Sequence, residues 1–85
     1  MNLQLLYFAQ LREKFGIAQE TLEAPASVHT VADLIAHLAS RGGIWQETFS
    51  GGQAFRVAIN QDMVELTAAL NDGAEVAIFR PVTGG

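Results

Sequence analysis

Apolar positions along this chain follow two rhythms, one of period two and one of period three to four. Leu3, Leu5 and Tyr7 alternate with Gln4, Leu6 and Phe8, the spacing of a strand. Both sets carry apolar groups, so this strand is central or turns one face to a partner. Residues 9–16 read as a short helix, with Leu11 and Phe15 on one face and Gly16 suited to the C-cap. Gln19–Glu23 is a polar strand expected at an edge, and residues 24–27 form a loop. The helical rhythm is clearest at Val31, Leu34, Ile35 and Leu38. Thr30 caps that helix, Asp33 favours its positive end, and Gly42-Gly43 stops it. Residues 44–49 allow one further turn, closed by Gly51-Gly52. Residues 55–60 alternate as a strand, Asn60-Gln61-Asp62 turns the chain, and Met63-Val64 pair briefly. Asn71-Asp72-Gly73 is the strongest turn signal. It delivers a last strand over residues 75–79, which Pro81 ends because it has no N–H to donate.

Two strands, a crossing helix and three returning strands predict an α+β fold of the β-grasp (ubiquitin-like) kind. Its mixed sheet would hold the last strand beside the first at its centre, with one main helix on one face. A ferredoxin-like sandwich is the structural competitor. The expected division is a β-grasp domain over residues 1–80 and a flexible tail over residues 81–85 ending in Gly-Gly. No repeat or low-complexity segment interrupts the single domain that 85 residues allow.

Composition narrows the function. With 49% hydrophobic residues in so short a chain, burial is incomplete: a domain of this size hides only about 60% of its unfolded surface. An exposed apolar patch, the mark of a partner surface, is therefore expected. The net charge of −4 and the scattered Arg12, Lys14, Arg41, Arg56 and Arg80 argue against nucleic acid, whose phosphates need clustered cations. Absence of cysteine excludes disulfides, thiol catalysis and thiolate metal ligation, and it fits the cytoplasm. The first eight residues lack the basic start of a signal peptide, and no apolar run approaches the roughly 20 residues that cross a bilayer. His29 and His37 have no third ligand and read as surface histidines. Glu20, Glu23, Asp33 and Glu47 form no pair at helical spacing for acid–base work. The glycine pairs are not phosphate loops. Trp45 reads as a packing residue.

The ending Pro81-Val82-Thr83-Gly84-Gly85 carries the sharpest expectation. Two glycines put a main-chain carboxylate at the tip of a stalk without side chains, able to enter a narrow channel. A free carboxylate is a poor acyl donor, because its oxygen is a bad leaving group, so such an end needs activation. The bland alternative is an ordinary frayed end.

The segments Tyr7-Phe8-Ala9-Gln10-Leu11-Arg12-Glu13, Thr30-Val31-Ala32-Asp33-Leu34, Val57-Ala58-Ile59-Asn60-Gln61 and 70–79, followed by the 81–85 ending, resemble the small subunits of molybdopterin synthase. These are sulfur carriers of the MoaD/ThiS type, and the resemblance spans essentially the whole chain. It implies that a ubiquitin-activating-like adenylyltransferase uses ATP to adenylate the carboxylate of Gly85, and that sulfur then replaces AMP to give a thiocarboxylate. The tail (Pro81, Val82, Thr83, Gly84, Gly85) would enter the large subunit of molybdopterin synthase and donate sulfur to cyclic pyranopterin monophosphate. The complex would be a heterotetramer with the catalytic side chains on the large subunit, so this chain is a carrier that binds no cofactor, nucleic acid or membrane. Phe8, Met63 and Phe79 match positions of the family's partner-binding apolar patch. Arg80 departs from the family, where a second proline is common; it reads either as a partner for an acidic group on the large subunit or as a solvated arginine. Three other readings stand beside this one: a carrier for thiamin thiazole or tRNA thiolation, a ubiquitin-like modifier of lysines, and an interaction module with an inert end.

Overall fold

The structure, a computed structural model, describes residues 1–50 and 55–81. Its elements run β1 (Asn2–Tyr7), α1 (Ala9–Phe15), β2 (Gln19–Glu23), α2 (Val31–Ala39), α3 (Gly43–Ser50), β3 (Arg56–Ile59), β4 (Asp62–Val64) and β5 (Glu75–Phe79). The five strands form one mixed sheet in the order β2-β1-β5-β3-β4. β1 and β5 lie parallel at its centre, with Leu5 beside Val76 and Tyr7 beside Ile78, and the other neighbours are antiparallel. This is the expected β-grasp arrangement, with polar β2 at an edge.

The core sits on one face of the sheet, and of the two apolar sets of β1 it takes Leu3, Leu5 and Tyr7. Leu3, Leu5, Tyr7, Val57, Val76 and Ile78 from the sheet are buried against Leu11 of α1 and Val31, Leu34, Ile35 and Leu38 of α2. All four positions of the α2 stripe are buried, as its spacing required.

The start of α2 shows how local chemistry fixes the layer. A helix leaves its first N–H groups without intrahelical partners, and here each finds one. Thr30 N–H donates to Asp33 Oδ2 at 3.1 Å, and Asp33 N–H donates to Thr30 Oγ1 at 3.2 Å, a reciprocal capping box. Val31 and Ala32 N–H groups donate to the carbonyls of Ala68 and Leu66, 3.0 and 2.9 Å away. The connection between β4 and β5 is thus the cap of the main helix as well as a route back to the sheet. Asp72 Oδ1 accepts the Asn2 N–H, and the Gly73 N–H donates to the Asn2 carbonyl, so the predicted turn clamps β5 alongside β1. Gly73 takes φ +82°, a region open to glycine.

Three details differ from the sequence reading. Residues after Gly42 form a full helix, α3, rather than one turn, so the described residues hold the expected short and main helices and a third beside them. Aromatic packing explains it: Trp45 and Phe49 of α3 lie against Phe15 of α1. β4 begins one residue early at Asp62, because the β3–β4 connection is a two-residue turn. Asn60 and Gln61 both have positive φ, 49° and 73°, as the favoured hairpin turn demands. Ala9 also takes positive φ, 48°, where β1 passes into α1, and nothing in the sequence pattern signalled it. The expected tail over Val82, Thr83, Gly84 and Gly85, and the Gly51-Gly52 stop, lie outside the described residues.

Candidate functional site

Alternation that sends Tyr7, Val57, Val76 and Ile78 into the core sends their neighbours to the other face of the sheet. Cross-strand register then arranges these neighbours in rows. One row runs Leu6, Ala77, Ala58, Met63 across β1, β5, β3 and β4. The next, toward the end of β5, sets Phe79 beside Arg56, with Phe8 following β1. Met63 is 58% exposed and Phe8 48% exposed, while Leu6, Ala77 and Phe79 are half-buried. Met63 and Leu6 therefore stand at the two ends of a low floor made by two alanines. The face is continuous and apolar, and it holds all three residues read from the sequence as a patch, Phe8, Met63 and Phe79. Leu6, Ala58 and Ala77 belong to it as well. Their strand parity could have found them, but only register shows that they bridge Phe8 to Met63.

This face also frames the end of β5. Because β5 lies between β1 and β3, the chain leaves the sheet from its middle, with Phe8 on one side and Arg56 on the other. Arg80 follows directly and reaches α1, where its Nη1 donates to Gln10 Oε1 at 3.3 Å. Its Nη2 is buried and finds no hydrogen-bond partner among the described residues. Arg80 is thus half-buried rather than freely solvated. Pro81, half-buried, is the last tail residue described.

A second polar constellation, unseen in the sequence, braces the frame from the helix side. The Tyr7 hydroxyl donates to Glu20 Oε2 at 2.7 Å, and Arg41 donates to both Glu20 oxygens at 2.9 and 2.7 Å. The Arg41 guanidinium lies 4.4 Å over the Trp45 ring, and Trp45 stacks on Phe15 at 3.8 Å. Burial first, then the hydrogen bond to Glu20, pushes the Tyr7 phenol strongly upward, so it stays protonated. The Arg41 hydrogen bonds hold the Glu20 carboxyl below the usual carboxylate range. Glu20 is thus ionised, paired to Arg41 and tied to packing, which suits a brace rather than an acid or base. Trp45 packs, as its sequence context implied. Among the described residues, no group of three or more His, Cys, Asp or Glu side chains is placed to hold a metal ion, and no helix is long and apolar enough to cross a membrane.

A mixed sheet ordered 2-1-5-3-4, with the main helix crossing between its second and third strands, defines a β-grasp protein of the ubiquitin-like class. Within that class the chain belongs to the ThiS family, which matches it over residues 5–85. It is 39% identical over 83 residues to the molybdopterin synthase sulfur carrier subunit of Escherichia coli, covering 98% of this chain and 99% of that one. Its fold is shared with SAMP1, a small archaeal modifier protein of Haloferax volcanii, at TM-score 0.79 and 24% identity over the whole of both chains. It is shared too with a complex of subunits 1 and 2 of the molybdopterin-converting factor from Helicobacter pylori, at TM-score 0.67 and 21% identity, again covering both chains in full.

Proposed function

We propose that this chain is the sulfur-carrier subunit of molybdopterin synthase. The observation that carries the proposal is the near full-length relationship to a relative that bears that name. The continuous apolar face beside the root of a Gly-Gly ending supports it, because a carrier must dock first and then offer its terminus. Its partner is the large subunit, as in the two-subunit complex that shares the fold. The adenylyltransferase attaches AMP to the Gly85 carboxylate and releases pyrophosphate from ATP. A sulfur nucleophile displaces AMP and leaves a thiocarboxylate. The docked tail presents that sulfur to cyclic pyranopterin monophosphate, and water restores the carboxylate. Sulfur is carried on the main chain, which agrees with the absence of cysteine.

Intact mass tests the loading step. The chain is incubated with the adenylyltransferase, ATP and a sulfur source, beside a chain lacking Gly85. Exchange of one oxygen for sulfur on the full chain alone is expected. Addition of the large subunit and the pterin precursor should then consume the sulfur. Loading without consumption would assign the chain to another sulfur pathway, and lysine-linked conjugates in extract would assign it to the modifiers.

A further inference from the structure

We propose that Arg56 and Arg80 form a basic clamp at the root of the tail, which grips acidic side chains around the entrance to the large subunit's tail channel. The proposal rests on the docking reading above and specifies what that docking recognises.

The placement follows from the strand register. Arg56 stands opposite Phe79 on the apolar face and is exposed, and Arg80 is the next residue after Phe79. Arg80 extends toward α1 instead, where it contacts Gln10. The two arginines therefore stand to either side of the chain as it leaves β5, one on the apolar face and one reaching α1. Neither has a carboxylate partner within salt-bridge distance among the described residues, whereas Arg41, elsewhere in the chain, is paired to Glu20.

Two observations show that this end is built for an anion. The first is that half-buried Arg80 meets only a neutral side chain among the described residues. A guanidinium without a carboxylate beside it keeps its charge available to an acidic partner that reaches its open side. Gln10, a neutral group, satisfies only Nη1 and leaves the charge uncompensated. The second is charge segregation in a chain of net charge −4. Arg12 and Lys14 of α1, with Glu13 between them, and Arg56 and Arg80 lie near the end of the sheet where β1 and β5 finish. Glu23, Asp62, Asp72 and Glu75 lie at the opposite end, where β1 and β5 begin. A partner that receives the tail meets the positive end first, and complementary acidic groups there would steer the approach and fix the register. Guanidinium suits the task because its planar fork grips a carboxylate by two hydrogen bonds.

The test measures binding of the thiocarboxylate-free full chain to the large subunit from the same source, by surface plasmon resonance across ionic strength. The wild-type chain is compared with Arg56→Gln/Arg80→Gln and with the charge-matched double variant Arg12→Gln/Lys14→Gln. The clamp predicts a loss of affinity on the order of tenfold for the first pair and a flatter salt dependence, with a smaller effect from the second. Equal salt slopes for the wild type and Arg56→Gln/Arg80→Gln would overturn it. So would an unchanged large-subunit affinity together with a raised KM for ATP in the adenylation assay, which would assign the arginines to nucleotide phosphates. No binding by the wild-type chain would sink the docking reading itself, and the clamp with it. Circular dichroism melts of each variant separate lost binding from lost folding, and a single Arg80→Lys variant, which keeps charge without the fork, should recover only part of the affinity.

Discussion

Tyr7 is the only tyrosine in the chain, so phenolate absorbance reports this one side chain. Its hydroxyl is buried and donates to an ionised carboxylate, and both facts favour the neutral phenol. The folded value is raised above the unfolded one, so the contribution to stability is complete below about pH 10 and declines as pH rises further. An absorbance titration should therefore show no step near pH 10, and phenolate should form only as the chain unfolds. A reversible step there, with the fold intact by circular dichroism, would mean the Tyr7–Glu20 bond is absent in solution. The opposite sign holds at Glu20 and at Asp33, whose carboxyl is held low by the backbone N–H groups of His29 and then Thr30. Their folded values lie below the unfolded ones, so the stability they add is present above about pH 4 and is lost as pH falls through the folded values. Glu20→Gln should flatten the acid limb of a urea-midpoint profile and lower stability at neutral pH by roughly 1 kcal/mol, since Gln still accepts from Tyr7 but no longer pairs with Arg41.

At the scale of elements, the turn between β3 and β4 holds the sharpest conflict between local preference and fold. Both of its residues need positive φ, and Gln61, at 73°, is a poor occupant. The left-handed region costs a non-glycine residue about 1–2 kcal/mol, and glycine gives back roughly 0.5–1 kcal/mol of that through its looser unfolded chain. Gln61→Gly should then stabilise the protein by about 0.5 kcal/mol, read as a higher urea midpoint at unchanged slope. Asn60 should stay, because its side chain accepts the Glu75 N–H and its own N–H reaches the Glu75 carbonyl. This turn also marks where the sequence was legible and where it was not. The stripe from Val31 to Leu38 located the helix side of the core directly, since it is set by one element's own geometry, whereas alternation over Leu3, Leu5 and Tyr7 marked a strand with two apolar sets and left its core face to be chosen by packing. Patch residues Phe8, Met63 and Phe79 followed from the same parity joined to a family resemblance. The length of α3 did not follow, because Trp45 and Phe49 are held by Phe15, 30 and 34 residues away in sequence. The Tyr7–Glu20–Arg41 brace was invisible for the same reason: no spacing rule connects a central strand, an edge strand and a helix end.

Across the whole molecule, one layer of helices covers one face of the sheet, and the other face holds a graded apolar surface that ends where the tail begins. Met63 is the position at which that surface can be tested without touching the core. It lies on edge strand β4, is 58% exposed, and faces Ala58 across the ladder. Phe79 is less suitable, being half-buried in a central strand between Arg56 and the end of β1. Met63→Asp should change thermal stability little, because an exposed edge position loses few contacts and gains a solvated charge. Against the large subunit it places a carboxylate in what would be a dry apolar contact, where desolvation without a partner costs several kcal/mol. Affinity should drop by at least about a hundredfold, carried mainly by faster dissociation. Adenylation supplies the internal comparison: a variant that still forms the thiocarboxylate but no longer delivers sulfur would separate docking on this face from loading at Gly85. Unchanged large-subunit affinity would show that the apolar face serves another partner, and the tail alone would then have to account for recognition.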